Sequence, residues 1–258
     1  MRVFFRGGLT SYRALFTWLS PWILIPTFLI GPVFQILFFA YVGRTAGVGS
    51  DAFFLIGNAV QYAALPCLFA MGHTISGERS SGTLPLLMAS PARRIPLFLG
   101  RALPVLINGY GVALFSLVAG ALLLGVRLPP ATLAPLALVV AVATFGCTGL
   151  GLVTAALALY VRETAVLTNI AFGVLLIFAG VNVPLAAMPG WMVAVAEWLP
   201  LTHGIAAARQ VAAGAGWADV RSDLVAEAGL GLLYVAIGLA MLAFFERESR
   251  RRSTLDTY

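Results

Sequence analysis

Side chains able to do chemistry are few in this 258-residue chain, and they are scattered. Two cysteines, Cys67 and Cys147, sit inside apolar runs with no Cys-x-x-Cys pair and no Cys/His spacing that suits a metal, so they read as small buried hydrophobes. The two histidines, His73 and His203, are far apart, and no second ligand stands at metal spacing from either. All 16 basic residues are arginine. With no lysine amine, a P-loop G-x-x-x-x-G-K-[ST] cannot form, and the chain cannot by itself be a P-loop ATPase. No G-x-S-x-G, H-E-x-x-H or paired-carboxylate pattern occurs. The densest patch of charged, hydroxyl and turn-forming residues is 73–101, HTISGERSSGTLPLLMASPARRIPLFLGR. It looks built to touch another protein. Glu78 and Arg79 precede a flexible Ser80-Ser81-Gly82, Thr83 suits an N-cap, Pro85 suits a first helical turn, and Leu84, Leu87 and Met88 form a small apolar face before Ser90-Pro91 stops the helix. Such a short helix is marginal alone and makes sense as a knob docking into a partner's groove; the plainer alternative is a connector lying on a membrane.

The elements around that patch are dictated by hydrophobicity. The composition is 60% hydrophobic and 10% charged, against about 45–50% and about 25% in soluble domains. That excludes an ordinary water-soluble domain and a disordered chain. A transmembrane helix needs about 20 residues with few or no charges, and six charge-free gaps are long enough. They place spans at about Trp22–Val42, Phe53–Gly72, Ala102–Leu124, Leu133–Tyr160, Ala165–Val183 and Leu224–Phe245. The runs are continuously apolar rather than alternating, which excludes a β-barrel. Arg2, Arg6 and Arg13 precede an apolar stretch too long for a signal peptide, so it is expected to remain as the first span.

Arginine placement gives the expected topology. With the N-terminus inside, Arg2, Arg6, Arg13, Arg79, Arg93, Arg94, Arg101, Arg162, Arg247, Arg250, Arg251 and Arg252 fall on inside segments, and only Arg44, Arg127, Arg209 and Arg221 outside. Both termini are therefore expected inside. The net charge of +6 becomes an orientation signal rather than a nucleic-acid footprint, and no nucleic-acid partner is expected.

Three further features follow. Leu9, Tyr12, Leu15, Phe16 and Leu19 share one helical face, with Arg6 and Arg13 beside it, which predicts an interfacial helix within 1–20, or else the inner end of a long tilted first span. The stretch 184–223 is punctuated by Gly and Pro and holds two apolar pieces, Trp191–Leu199 and His203–Ala213, each too short to cross. With Trp191, Trp198 and Trp217 it predicts two short helices dipping into or lying on the outer leaflet. The centres of the spans carry no charge. Glu227, near the outer end of the last one, is expected to snorkel to the interface rather than relay protons. The mild polar residues Gln35, Asn58, Gln61, Asn169 and Asn182 suit bonds between helices, and equally a path for an amphipathic cargo.

The run Glu78-Arg79-Ser80-Ser81-Gly82-Thr83-Leu84, with Leu87 and Ser90-Pro91, resembles the E-R-x-x-G-T-L…L…S-P signature of type-2 ABC transporter permeases (ABC-2). That family includes daunorubicin-resistance-type drug-efflux permeases and nodulation-type lipo-oligosaccharide exporters. Leu199-Pro200-Leu201-Thr202-His203-Gly204-Ile205, with Arg209, resembles the family's L-P-L-[ST]-H motif and the arginine after it. The resemblance covers nearly the whole chain, although Pro85 stands where relatives often carry a polar or acidic residue.

What the resemblance implies is an all-α integral membrane protein, one ABC-2 transmembrane domain over 1–258, with 73–101 as the cytoplasmic coupling loop and 184–223 as an outer re-entrant segment. Glu78, Arg79, Gly82, Thr83, Leu84, Leu87 and Pro91 would couple to a separate ATPase subunit, on which the N-terminal helix would also pack. Pro200, Thr202, His203 and Arg209 would form the outer motif. The chain would hold no cofactor, ATP and Mg being bound by the partner. Two ATPases and a second permease, identical or paralogous, would complete the unit in a bacterial cell membrane. Its expected work is export of an amphipathic compound, drug-like or lipid-linked. An intramembrane enzyme would need buried acids, a Ser/Lys pair or a metal cluster. An ATP-independent carrier would be marked by inverted repeats or midplane charges. The sequence displays none of these.

Overall fold

The computed structural model describes residues 22, 25–80, 82, 94–161 and 163–252, and among these every regular element is helical. The expected interfacial segment Leu9–Leu19 lies outside the described residues. A π-turn over Pro26–Ile30 leads into α1 (Gly31–Ala46). Gly47, at φ 66, ends α1 by returning its N–H to Arg44 and Gly43. Ser50 then opens α2 (Asp51–Gln61), its hydroxyl accepting from the Phe53 N–H at 3.2 Å. Ser50→Ala is expected to lower the unfolding free energy by about 1 kcal/mol, measurable by reversible unfolding in detergent.

The second apolar gap yields two helices rather than one. α3 (Ala64–Ser80) follows α2 after a turn at Tyr62–Ala63. The cause is Pro66, whose ring would clash with the carbonyl of Tyr62 four residues earlier in an uninterrupted helix. α3 then runs on to Ser80, so the first part of the expected 73–101 loop is helical, and α4 (Arg94–Leu124) begins before the end of that loop. The reason is local: His73–Ser80 contains no proline, and charged residues continue a helix as readily as apolar ones. α5 (Pro130–Leu157), α6 (Thr164–Phe178), α7 (Gly190–Ala196), α8 (Thr202–Ala212) and α9 (Trp217–Arg252) complete the order, with a single 3-10 turn at Leu185–Ala187.

Among the described residues, five stretches are long and apolar enough to cross a membrane: Pro26–Ala46, Asp51–His73, Leu99–Leu124, Pro130–Leu157 and Trp217–Phe245. The fifth expected span is shorter than its gap. α6 has 15 residues and ends at Phe178 rather than Val183, because the chain turns at Gly180 in the left-handed region (φ 71). α9, by contrast, outgrows its expected Leu224–Phe245. Its 36 residues make about 54 Å of helix, well beyond a hydrocarbon core of about 30 Å.

α5 is the centre of the bundle. It packs on α9, α3, α8 and α4, and its interior face contributes Leu136, Val139, Val140, Ala143, Cys147 and Leu152 to the core. Glycines set the tightest approach. A Cβ on Gly149 would stand 2.7 Å from the Gly231 carbonyl oxygen of α9, and one on Gly238 would stand 2.8 Å from Leu152 Cβ. Packing through small residues is how helices associate where lipid removes the hydrophobic drive between them. Outward faces carry exposed apolar side chains, among them Phe34, Phe38 and Tyr41 on α1 and Leu232, Leu233 and Phe244 on α9, the reverse of a water-soluble surface.

Candidate functional site: the short helix pair and the amide cluster beside it

The segment 197–212 folds into the bundle rather than over it. Pro200 is buried, and Leu201 adopts φ 79, a left-handed conformation unusual for a leucine, which turns the chain sharply into α8. Thr202 follows, 2% exposed, its hydroxyl without a hydrogen-bond partner. The half-buried His203 ring reaches the Glu197 carbonyl through Nε2 at 3.3 Å and lies 3.6 Å from Asp223 Oδ1 through Nδ1. On the other face of α8, Arg209 donates from Nη1 to the Gly180 carbonyl (2.8 Å) and from Nη2 to those of Val181 (2.7 Å) and Phe53 (3.1 Å), and it lies 3.5 Å above the Phe53 ring. Burial lowers its pKa to about 10, so it stays protonated at neutral pH. One guanidinium thus ties α8 to the start of α2 and to the strap after α6. Gly57 on α2 leaves the room: a Cβ there would collide with the Val181 carbonyl and the guanidinium.

Glu227 overturns the snorkelling expectation. It is fully buried, and its two oxygens accept from the backbone N–H groups of Leu201 (2.7 Å) and Gly204 (2.9 Å). The physical reason is that the N-terminus of α8 offers orphan donors and a positive dipole end at the same depth, a better partner than distant water. Asp223, one turn earlier on α9, accepts from Gln210 Nε2 at 2.8 Å, and the Tyr234 hydroxyl donates to the Trp198 carbonyl at 2.9 Å. None of these three α9 residues was singled out with the outer motif by sequence reasoning. Their signal was their spacing, since 223, 227 and 234 fall on one helical face.

Four of the five mild polar residues come together below this segment. Gln35 Nε2 on α1 donates to Asn58 Oδ1 and to Gln61 Oε1 on α2, both at 2.8 Å, and Asn58 Nδ2 donates to the Phe54 carbonyl and to Asn182 Oδ1, also at 2.8 Å. Asn58 and Gln61 are fully buried. The Gln61 amide nitrogen and Arg209 Nε are left without partners. Asn169 does not join them: it is exposed on α6. Asn182, expected inside the fifth span, lies past the end of α6 on the strap. Cys67 and Cys147 are buried free thiols, and Cys67 Sγ lies 3.4 Å from the Thr148 hydroxyl. Among the described residues no group of three or more His, Cys, Asp and Glu side chains converges as a metal site would require.

Of the expected coupling residues, Glu78 and Arg79 lie in the last turn of α3, and Gly82 is exposed with φ 67. Thr83, Leu84, Leu87 and Pro91 lie outside the described residues.

Long apolar helices around a central helix, with the short α8 packed against both α5 and α9, define a multi-pass α-helical membrane protein. A family model described as ABC-2 type transporter matches residues 9–212, and the chain belongs to that family. A comparison with curated proteins gives no match. Membership makes the chain the membrane permease component of an ABC transporter. It is a transport subunit and not itself an enzyme, its ATP being hydrolysed by a separate ABC ATPase subunit.

Proposed function

We propose that the chain is the permease of an ATP-driven exporter that moves an amphipathic compound, drug-like or lipid-linked, out of the cytoplasm or the inner leaflet of a bacterial cell membrane. The observation that carries this reading is the position of the Glu78–Leu84 signature within a chain of this family. It begins in the last turn of α3, beyond the apolar stretch Asp51–His73, where a cytosolic subunit can reach it. Six crossings, with α6 as the fifth, put both termini and this segment on the arginine-rich side. Two such permeases and two ATPases form the unit, and the cargo passes between the permeases. Glu78, Arg79, Gly82, Thr83, Leu84, Leu87 and Pro91 receive the ATPase's motion. Gln35, Asn58, Gln61 and Asn182 offer the cargo a polar station, with the unpartnered Gln61 N–H as its free donor. Asn169, exposed on α6, joins that path only at the seam with a second permease. Pro200, Thr202, His203 and Arg209 hold the outer closure. The α7–α8 pair enters the outer leaflet without crossing it, since neither helix is long enough.

The test is reconstitution with the ATPase subunit. The pair is expected to co-purify, and Glu78→Ala and Gly82→Pro are expected to lower transport-coupled ATP turnover several-fold while membrane insertion persists. Proline is the sharper probe, because its ring fixes φ near −65° where Gly82 needs +67°. Full coupling in both variants would remove that segment from the mechanism.

A further inference from the structure

The outer segment is held on its two sides by different means. Towards α9 it is bonded at three levels, by Asp223 to Gln210, by Glu227 to Leu201 and Gly204, and by Tyr234 to Trp198. From Asp223 to Tyr234 these bonds cover 11 residues of helix, about 16 Å. Below them α5 and α9 meet with no slack. A Cβ on Gly146 would stand 2.7 Å from Glu227 Oε1 and 3.2 Å from Pro200 Cβ, and one on Gly204 would stand 2.8 Å from Ala143 Cβ. α5, α9 and the start of α8 therefore close around the carboxylate itself.

On the opposite side, where α8 also packs on α2, the side-chain bonds among the described residues come from Arg209, reaching Phe53 on α2 and Gly180 and Val181 on the strap. Among the described residues, the buried polar atoms without partners are Arg209 Nε and Gln61 Nε2, on or near this side, and Thr202 Oγ1, between the two amides that Glu227 holds. Unmade hydrogen bonds at a buried surface raise its free energy by about 1–3 kcal/mol each. On the α9 side both carboxyl oxygens of Glu227 have made their bonds, at 2.7 and 2.9 Å, at a helix N-terminus.

We propose that Glu227 is a positioning residue for transport: it latches the N-terminus of α8 to the last helix so that the outer segment and the α5–α9 pair move as one body, and the surface that opens is the one bridged by Arg209. The role in transport rests on the permease reading given above; the latch itself does not.

The experiment is hydrogen–deuterium exchange on the full-length chain in lipid nanodiscs, alone and with its ATPase trapped by ATP and vanadate. For the chain alone, Glu227→Ala is expected to speed exchange of the Leu201 and Gly204 amides at least tenfold. Glu227→Gln, which keeps one acceptor oxygen of two, is expected to protect one of those amides and release the other. Arg209→Lys is expected to speed exchange over 179–183 and leave 201 and 204 unchanged. In the wild-type complex, trapping is expected to change protection over 179–183 and 57–61 and not at 201 and 204. In Glu227→Ala the change is expected to shift to 201 and 204, a redistribution that mere loss of stability would not produce.

Unchanged exchange at 201 and 204 in Glu227→Ala overturns the latch. Should that variant not fold, unchanged exchange in Glu227→Gln does so. Trapping that exposes 201 and 204 in the wild type as much as 179–183 overturns the placement of the opening surface. If no ATPase binds, or trapping changes nothing anywhere, the reading of this chain as the permease of an ATP-driven exporter fails, and the arms on the chain alone still decide the latch.

Discussion

Arg209→Leu is expected to lower the unfolding free energy by about 3–5 kcal/mol. The side chain donates to three carbonyls that belong to two other elements, at 2.7–3.1 Å. A hydrogen bond from a charged donor contributes about 1.5–3 kcal/mol, and a buried acceptor left without its partner costs about 1–3 kcal/mol. The three are not additive, because the Phe53 carbonyl lies in the first turn of α2 and keeps a helical donor available. The Gly180 and Val181 carbonyls have no such reserve, since α6 has already ended at Phe178. Loss of the contact with the Phe53 ring adds about 0.5–2 kcal/mol. Arg209→Lys keeps the charge but replaces a planar fork by a point ammonium, and about half of the loss is expected. Denaturant-induced unfolding in mixed micelles measures both. A leucine variant as stable as wild type would mean that the strap carbonyls find other donors and that Arg209 is not the tie between α8 and α2.

That tie was only half legible in the sequence. The motif Leu199–Ile205 and the arginine after it could be read, and so could two short helices near 191–213, because proline, glycine and the length of each apolar piece fix them locally. Arg209's partners could not be read, because they are backbone carbonyls, which carry no side-chain signature. The same holds for Glu227. A lone acid in an apolar run suggests a route to water; only the fold reveals that the N-terminus of α8 stands at the same depth. The amide cluster shows the opposite balance. Gln35, Asn58, Gln61 and Asn182 were visible as polar residues in apolar surroundings, and bonds between helices were one of the two readings they allowed. Asn169 had equal standing by composition and falls on an exposed face, since helical phase in a continuously apolar run cannot be fixed when nearly every position is hydrophobic.

Helix ends divided in the same way. Charge-free gaps locate apolar helices well, because burying charge in lipid is costly. They locate helix termini poorly, because a helix can continue into water. α3 and α9 run past their gaps to Ser80 and Arg252, while α6 stops short where Gly180 turns the chain.

The glycines of α5 and α9 give the second large expected effect and a control on the same helix. In Gly149→Ala the new methyl would meet the Gly231 carbonyl oxygen at 2.7 Å, Tyr234 Cβ at 3.1 Å and the Val235 nitrogen at 3.2 Å. Two of those atoms are backbone, so no rotamer change relieves the contact, and the helix axes must part. Parting them also loosens the contacts at Gly146 and Gly238 along the same seam. Overpacking of this kind costs about 1–3 kcal/mol, and the upper end is expected because the obstruction is rigid. Gly229, two residues before Gly231 on α9, has nothing within 4 Å of the corresponding position. Gly229→Ala removes a flexible residue from a helix interior without a clash, and a gain of about 0.5–1 kcal/mol is expected. Opposite signs from the same substitution in one unfolding assay would separate helix propensity from interhelical approach. Equal signs would show that α5 and α9 do not meet backbone to backbone, and with that the rigid pair beneath the outer segment would be lost.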